Sequence, residues 1–254
     1  MSAVTRIQIG VLAAACLFVE LLCRSGAISP LTMPPPSAIV VDLGAILQSK
    51  DMLGQIARTL ADVAAAFVLA VIAGFLLGAG LAALPRLRAV IEPILASYYA
   101  IPVFVFYPVF VVLFGLNHYP RIAIGFLLAV VTMIINTLNG FDRVPPVLLK
   151  SARVMRLGRV ATVRHVILPF AALYISTGLK LAVAYAFIGV IAAEFILSGD
   201  GMGYEIAYAF NNFENGVMYP LILVLLVVAT TVNMGLYAWE RRFLARQTAH
   251  RDTS

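Results

Sequence analysis

Long apolar runs separated by short polar stretches dominate the chain. A helix needs about 20 mostly apolar residues to cross a bilayer. Six segments meet or approach that length, at residues 7–22, 63–84, 90–116, 122–138, 170–197 and 219–237, the first and fourth being the shortest. One long segment, 139–169, breaks the pattern. Its apolar positions Val147, Leu148, Leu149, Ala152, Val154, Met155, Leu157, Val160, Ala161 and Val163 recur at helical spacing among cations. It reads as one or two short amphipathic helices between spans, begun at Pro145-Pro146 and ended or broken at Gly158. Between the first two spans, residues 24–62 are more polar. There Pro34-Pro35-Pro36 predicts an extended approach, with Ser37 as helix cap and an amphipathic helix beyond it.

Composition agrees with this pattern. Of the 254 residues 62% are hydrophobic and 12% charged, about half the charged fraction of an ordinary soluble domain, so the expectation is an all-α integral membrane protein with about six transmembrane helices. The formal net charge of +6 would suit nucleic acid, but the cations lie in loops between apolar spans, where they set topology, and no nucleic-acid partner is expected. With the N-terminus inside, 13 of the 18 Lys and Arg residues fall on the inner side, six of them in the central loop (Arg143, Lys150, Arg153, Arg156, Arg159 and Arg164). Arg24, Lys50, Arg58 and Arg121 would be outside, and Lys180 lies within a span. Both termini and the central loop are therefore expected in the cytoplasm. The N-terminal run lacks a convincing cleavage site and reads as a retained span. The expected divisions are a first span (1–30), an outer Pro-rich and amphipathic segment (31–62), a transmembrane core that includes the basic loop 139–169 (63–240) and a basic cytoplasmic tail (241–254).

Few residues offer chemistry. No Gly-Lys dipeptide occurs, so no P-loop is present. His118, His165 and His250 are scattered, Cys16 and Cys23 read as buried or lipid-facing thiols, and neither a nucleophile–base pair nor a metal-ligand spacing emerges. Lys180 is the sharpest single residue, because an intramembrane cation is costly. It either attracts an anionic solute or pairs with another helix. Glu194, fourteen residues on and close to the same helical face, either forms part of an outer gate or fixes packing. Tyr98, Tyr99, Phe104, Phe106 and Tyr107 cluster around Pro102, which can kink the third span; a binding surface and a core-packing set are both open. Asn136 and Tyr185 could line a cavity or hydrogen-bond between helices. Asp62 is expected at the outer interface, Asp200-Gly201 in an outer turn, and Glu240 in an inner anchor.

The central loop resembles the coupling segment, or EAA loop, of binding-protein-dependent ABC importer permeases of the type I fold. In that family an E-A-A triplet is followed by a glycine, and a Leu-Pro pair closes the segment thirteen residues after it. Leu168-Pro169 occupies the closing position, which puts Lys150-Ser151-Ala152 at the triplet and Arg156 at the glycine. Ala152 matches and the others depart, with Gly158 two residues late. Further similarity to the nitrate, sulfonate and taurine branch lies in Pro34-Pro35-Pro36-Ser37, Ile101-Pro102, Phe114-Gly115-Leu116, Asn136-Thr137, Thr177-Gly178-Leu179-Lys180, Ala193-Glu194 and Gly201-Met202-Gly203-Tyr204.

The resemblance implies a homodimeric, alternating-access permease in the bacterial cytoplasmic membrane, not itself an enzyme. Two ABC ATPase subunits would hold ATP and Mg, and a periplasmic or surface-anchored binding protein would deliver a small anion such as a sulfonate, taurine, nitrate or aromatic carboxylate. It also implies a coupling helix that docks on the ATPase, made of Lys150, Ser151, Ala152, Arg153, Met155, Arg156, Leu157 and Gly158. Pathway candidates are Tyr98, Tyr99, Pro102, Asn136, Lys180, Tyr185 and Glu194. A secondary transporter or channel is the alternative; it would predict inverted repeats or several intramembrane acids.

Overall fold

Helix takes every long apolar run, as hydrocarbon requires, since no water is there to satisfy backbone N–H and C=O groups. The computed structural model describes residues 3–29 and 31–251. Among these the helices are α1 (Ala3–Arg24), α2 (Pro36–Gln48), α3 (Lys50–Ala83), α4 (Pro85–Ser97), α5 (Tyr107–Phe114), α6 (His118–Asp142), α7 (Pro146–Val154), α8 (Arg159–Thr162), α9 (Leu168–Leu197), α10 (Met202–Asn211) and α11 (Asn215–Arg251). Five stretches are long and apolar enough to span: Arg6–Arg24, Lys50–Ala83, His118–Asp142, Arg159–Ile196 and Asn215–Arg241. The expected basic tail lies partly outside the described residues: nothing is described of residues 252–254, nor of the side chains of Arg242, Arg246 and Arg251.

The third expected span is not one straight helix. Pro85–Ala100 and Val103–Phe114 meet at 92°. Ile101 is extended at φ −86° and ψ 123°, the conformation a following proline imposes, and Pro102 has no N–H to continue the ladder. Single 3₁₀ turns, Tyr98–Ala100 and Val103–Phe106, flank the break. The second expected span also begins earlier, at Lys50, so part of the predicted outer segment is helix continuous with it. Ser37 is not the cap of α2. Pro35 holds that position, and the Glu20 carboxylate of α1 accepts from Ser37 N at 3.0 Å and Ser37 Oγ at 2.7 Å.

The chain divides into two units, Met1–Thr59 with Glu194–Val228 and Leu60–Ala193 with Ala229–Ser254. In the first, α11 is tied to the chain before α2 by Asn215 Nδ2, donating to the Leu31 carbonyl, and Tyr219 OH, donating to the Thr32 carbonyl. Its buried apolar residues include Ile46, Ile56, Met202, Ile206 and Leu221.

The second unit is built on small residues. Ala66, Ala70, Gly74 and Gly78 recur every fourth position along α3. A Cβ at Gly74 would stand 2.6 Å from the Met133 Cβ, and one at Gly78 2.7 Å from the Thr137 Cβ, so α3 and α6 pack closer than larger residues allow. On its other side α6 meets α9 at Gly125 and Gly189, where a Cβ on Gly189 would come within 2.6 Å of the Gly125 Cα. Val103 and Tyr107, just past the break, pack with Ile124 and Ala193.

Asp62 and Arg121, expected near outer surfaces, are buried. Arg121 Nε lies 3.1 Å from Asp62 Oδ2, joining α3 to α6, with side chains 2% and 9% exposed. Removing one partner of such a pair strands a charge in a low-dielectric site, whereas replacing both with apolar residues of similar size does not. Arg121→Met should therefore destabilise the protein by about 3–5 kcal/mol, and adding Asp62→Leu should recover most of that loss. Thermal unfolding of both variants in mild detergent checks the order.

Candidate functional site: the basic loop, a tyrosine surface and three carboxylate locks

The basic loop is two short helices joined by a tight turn. Helix α7 begins at Pro146, whose missing N–H costs nothing in a first turn, and stops at Val154. Arg156 N donates to the Arg153 carbonyl at 3.0 Å and Leu157 N to the Ala152 carbonyl at 2.9 Å, the paired bonds of a Schellman motif. That motif needs a left-handed residue, and Arg156 supplies it at φ 53°. This is where the EAA pattern carries glycine. Gly158 instead has φ −64° and ψ 162° and stands before α8, so it neither lies within nor ends the first helix. Lys150, Ser151, Ala152 and Arg153 lie on α7, with Ala152 buried; Met155, Arg156 and Leu157 form the turn. Beyond α8 a π turn, Val163–Ile167, leads into Leu168-Pro169 and the span.

Charge in this loop is unopposed. Its one acid, Asp142, is held bidentately by Arg88 of α4, at 2.6 and 2.7 Å. Arg143 lies over the Tyr174 ring at 5.9 Å. Lys150, Arg153, Arg156, Arg159 and Arg164 are exposed and have no ion-pair partner among the described residues.

A second group gathers where the third span breaks. Tyr99 OH and Thr132 Oγ1 of α6 are 2.7 Å apart, and the Tyr99 ring stacks on Tyr185 of α9 at 5.9 Å. Tyr98 meets Tyr99 edge-on at 6.2 Å and donates to the Leu127 carbonyl at 3.1 Å. One turn along α6 from Thr132, Asn136 donates Nδ2–H to the Thr132 carbonyl at 2.8 Å and packs beside Gly178. Of the pathway candidates the structure thus brings together Tyr98, Tyr99 and Tyr185 just before the break at Pro102, with Asn136 one turn along α6 from the Tyr99 partner Thr132. Thr132, which sequence reasoning missed, joins them; a lone threonine in an apolar run gave no signal.

Lys180 stands elsewhere. Its Nζ donates to Glu240 Oε2 at 2.6 Å, and Ser176 Oγ donates to Glu240 Oε1 at 2.6 Å, so α9 and α11 are joined by a part-buried ion pair. Tyr237 covers the ammonium at 5.7 Å. Glu240 is 5% exposed, and the inner-anchor expectation gave no hint of this pairing.

Glu194 is fully buried and stabilises the start of α10. It accepts from Gly203 N at 2.8 Å and from Thr59 Oγ1 at 2.9 Å, while Thr59 Oγ1 accepts from Met202 N at 2.7 Å. Gln55 Oε1 accepts from Gly201 N at 2.8 Å. A carboxylate at a helix N-terminus both satisfies orphan N–H groups and complements the dipole. Gly201 has φ +100°, and a Cβ there would collide with the Glu194 carboxylate. The Ala193-Glu194 and Gly201-Met202-Gly203 signatures are thus two sides of one contact. Nearby, burial raises the Glu205 carboxyl above its ordinary 4.5, against the lowering effect of its Gln55 hydrogen bond and with repulsion from Glu214 adding to the rise.

The fold is that of a transporter permease. A chain of the MetNI methionine ABC transporter, solved in inward-facing conformations, superposes with a TM-score of 0.63 at 18% identity, covering 77% of this chain and 99% of its own. Residues 66–247 match the family described as the binding-protein-dependent transport system inner membrane component, and the chain belongs to that family of multi-pass ABC importer permeases. Similar relatives include the taurine transport system permease protein TauC of Escherichia coli (strain K12), 27% identical over 85% of this chain and 80% of its own length. The putative aliphatic sulfonates transport permease protein SsuC of Bacillus subtilis (strain 168) is 26% identical over 86% and 79%. The bicarbonate transport system permease protein CmpB of Synechococcus elongatus (strain ATCC 33912 / PCC 7942 / FACHB-805) is 30% identical over 78% and 71%.

Three expectations follow from these locks. Lys180→Met and Glu240→Leu should each lower stability, and together lower it by less than their sum, as a double-mutant cycle of unfolding midpoints would show. Gly201→Ala should cost about 2 kcal/mol or more, since left-handed strain adds to a clash with a buried carboxylate. For Glu205 the neutral form is the favoured one, so its contribution is fullest below pH 4.5 and is lost as pH rises through the raised value. Glu205→Gln should flatten that part of the stability–pH curve.

Proposed function

We propose that this chain is the membrane subunit of an ATP-driven importer in which two copies form an alternating-access pathway for a small oxyanion, of the taurine, sulfonate, nitrate or bicarbonate type. The observation that carries the reading is the family match over residues 66–247, which takes in the basic loop and the spans on both sides of it. Two cytoplasmic ATPase subunits bind ATP and Mg and drive the cycle, a binding protein delivers the solute, and both termini face the cytoplasm of a bacterial inner membrane. The named transport systems of the relatives support the solute class.

The tyrosine surface is the solute contact this reading favours. Tyr99, at 47% exposed, keeps its ring accessible beside a broken span with its hydroxyl held by buried Thr132, and the half-buried Tyr185 and Asn136 add a hydroxyl and an amide group. Neutral donors bind an oxyanion while leaving it able to depart; a cation such as Lys180, already neutralised by Glu240, is not required. Broken helices at membrane depth are tolerated where they line a cavity, which suits a pathway at Pro102.

Purifying the tagged chain from its native host in mild detergent, with mass spectrometry and an ATPase assay, tests the assembly. Recovery of a P-loop ATPase at two copies with two of this chain is expected; uptake by the pure chain without nucleotide would overturn the reading. In reconstituted vesicles Tyr99→Ala should lower uptake of a sulfonate by about tenfold with assembly intact, the scale of one hydrogen bond to a charged group.

A further inference from the structure

We infer that Arg88 and Asp142 are positioning residues for the tyrosine surface: their ion pair latches α4 against α6, and opening it frees α4 to tilt between joints at Leu84 and Pro102, which lifts Tyr99 from Thr132 and Tyr185. The inference deepens the importer reading above and rests on it. Three observations support it. The first is how little else holds α4. Of its thirteen residues only Leu95 is buried, and Leu87, Val90 and Ile94 are 48%, 65% and 58% exposed. A side that faces lipid leaves a helix free to shift where a packed side does not. Past the break the chain is packed, with Val103 and Tyr107 each 2% exposed against Ile124 and Ala193. Pro102 therefore joins a loosely held arm to a fixed one.

The second observation is the latch itself. Two parallel bonds of 2.6 and 2.7 Å join Arg88 to Asp142. Such a fork fixes direction as well as distance, which a lysine ammonium does not. It closes the base of α4 on the last residue of α6, while the Tyr98 bond to the Leu127 carbonyl and the Tyr99 contact with Thr132 close the tip on the same helix. Arg88 and Tyr99 are eleven residues apart, about 16 Å at 1.5 Å per residue.

The third is the backbone at both joints. Leu84 alone separates α3 from α4, at φ −123° and ψ 77°, and Ile101 with Pro102 is extended between two 3₁₀ turns. Short non-helical stretches at the ends of elements are where hinge rotations are absorbed. Between the joints α4 runs unbroken from Pro85 to Ser97, although Pro93 removes one of its bonds, so it tilts as one piece. A shift of about 1 Å at Tyr99 is enough to break its 2.7 Å contact with Thr132. Asp142 is also the one acid of the basic loop, so movement in that loop and the state of the tyrosine surface share one contact.

The test uses the full chain, purified in mild detergent with the ATPase it carries. Tetranitromethane nitrates accessible tyrosine rings, and mass spectrometry reads the sites. Arg88→Gln and Asp142→Asn should each raise nitration of Tyr99 by about fivefold, the scale of one well-formed, half-exposed ion pair, with Tyr208 on α10 and Tyr237 on α11 unchanged. Combined, the two changes should add nothing to either alone, and the exchange of Arg88→Asp with Asp142→Arg should return Tyr99 to within about twofold of the wild type. Salt at about 1 M should raise Tyr99 nitration in the wild type but not in Arg88→Gln, because it screens the pair. Unchanged Tyr99 nitration in both single variants would overturn this inference alone. Equal rises at Tyr99, Tyr174, Tyr204 and Tyr208 would mark a general loosening and overturn it too. A preparation containing no ATPase would overturn the importer reading through a separate readout, and the transport role of the latch with it.

Discussion

Charges inside the apolar spans are held by partners on other helices, and much of the fold can be traced to that constraint. A carboxylate or guanidinium in hydrocarbon without a partner costs several kcal/mol, comparable with a large part of a protein's net stability. Asp62 and Arg121 answer each other between α3 and α6, and Lys180, Ser176 and Glu240 do so between α9 and α11. Glu20 and Glu194 meet the same need by accepting backbone N–H groups at the starts of α2 and α10. Each arrangement is a polar tie that only one helix register satisfies.

Within that register, small residues set the distance. The Ala66, Ala70, Gly74, Gly78 stripe lets α3 lie against α6, and Gly125 with Gly189 does the same between α6 and α9. Without a hydrophobic driving force between helices in lipid, such close van der Waals contact is the main attraction available. Polar ties therefore specify which faces meet, and the small residues make the meeting favourable.

The spans themselves were legible because a bilayer fixes a length that apolar runs either reach or do not. Class and approximate number followed from that alone. The right angle in the third span was legible only as a kink at Pro102, since its size depends on the extended Ile101 and the flanking 3₁₀ turns. Charge counting put Arg121 in an outer loop because a loop and a buried helix start look alike in sequence when only one residue separates them. The partnership of Lys180 with Glu240 spans sixty residues and leaves no local trace. At Arg156 the EAA spacing located a left-handed position even though the residue type denied it, while Gly158 stands in the break between α7 and α8, one of its two expected places, but does not close α7.

The π turn at Val163–Ile167 carries a consequence of phase. Such a turn takes in one residue more than an α turn, so the helix before it runs about 100° out of step with the helix after it. Arg159 and Val160 thus face a direction that counting back from the span would misplace. The extra residue is also slack: losing one position within the turn would leave a regular helix in its place. The same loss between Ala66 and Gly78 of α3 would swing half the small-residue stripe away from α6, so two equal changes in chain length would have opposite fates.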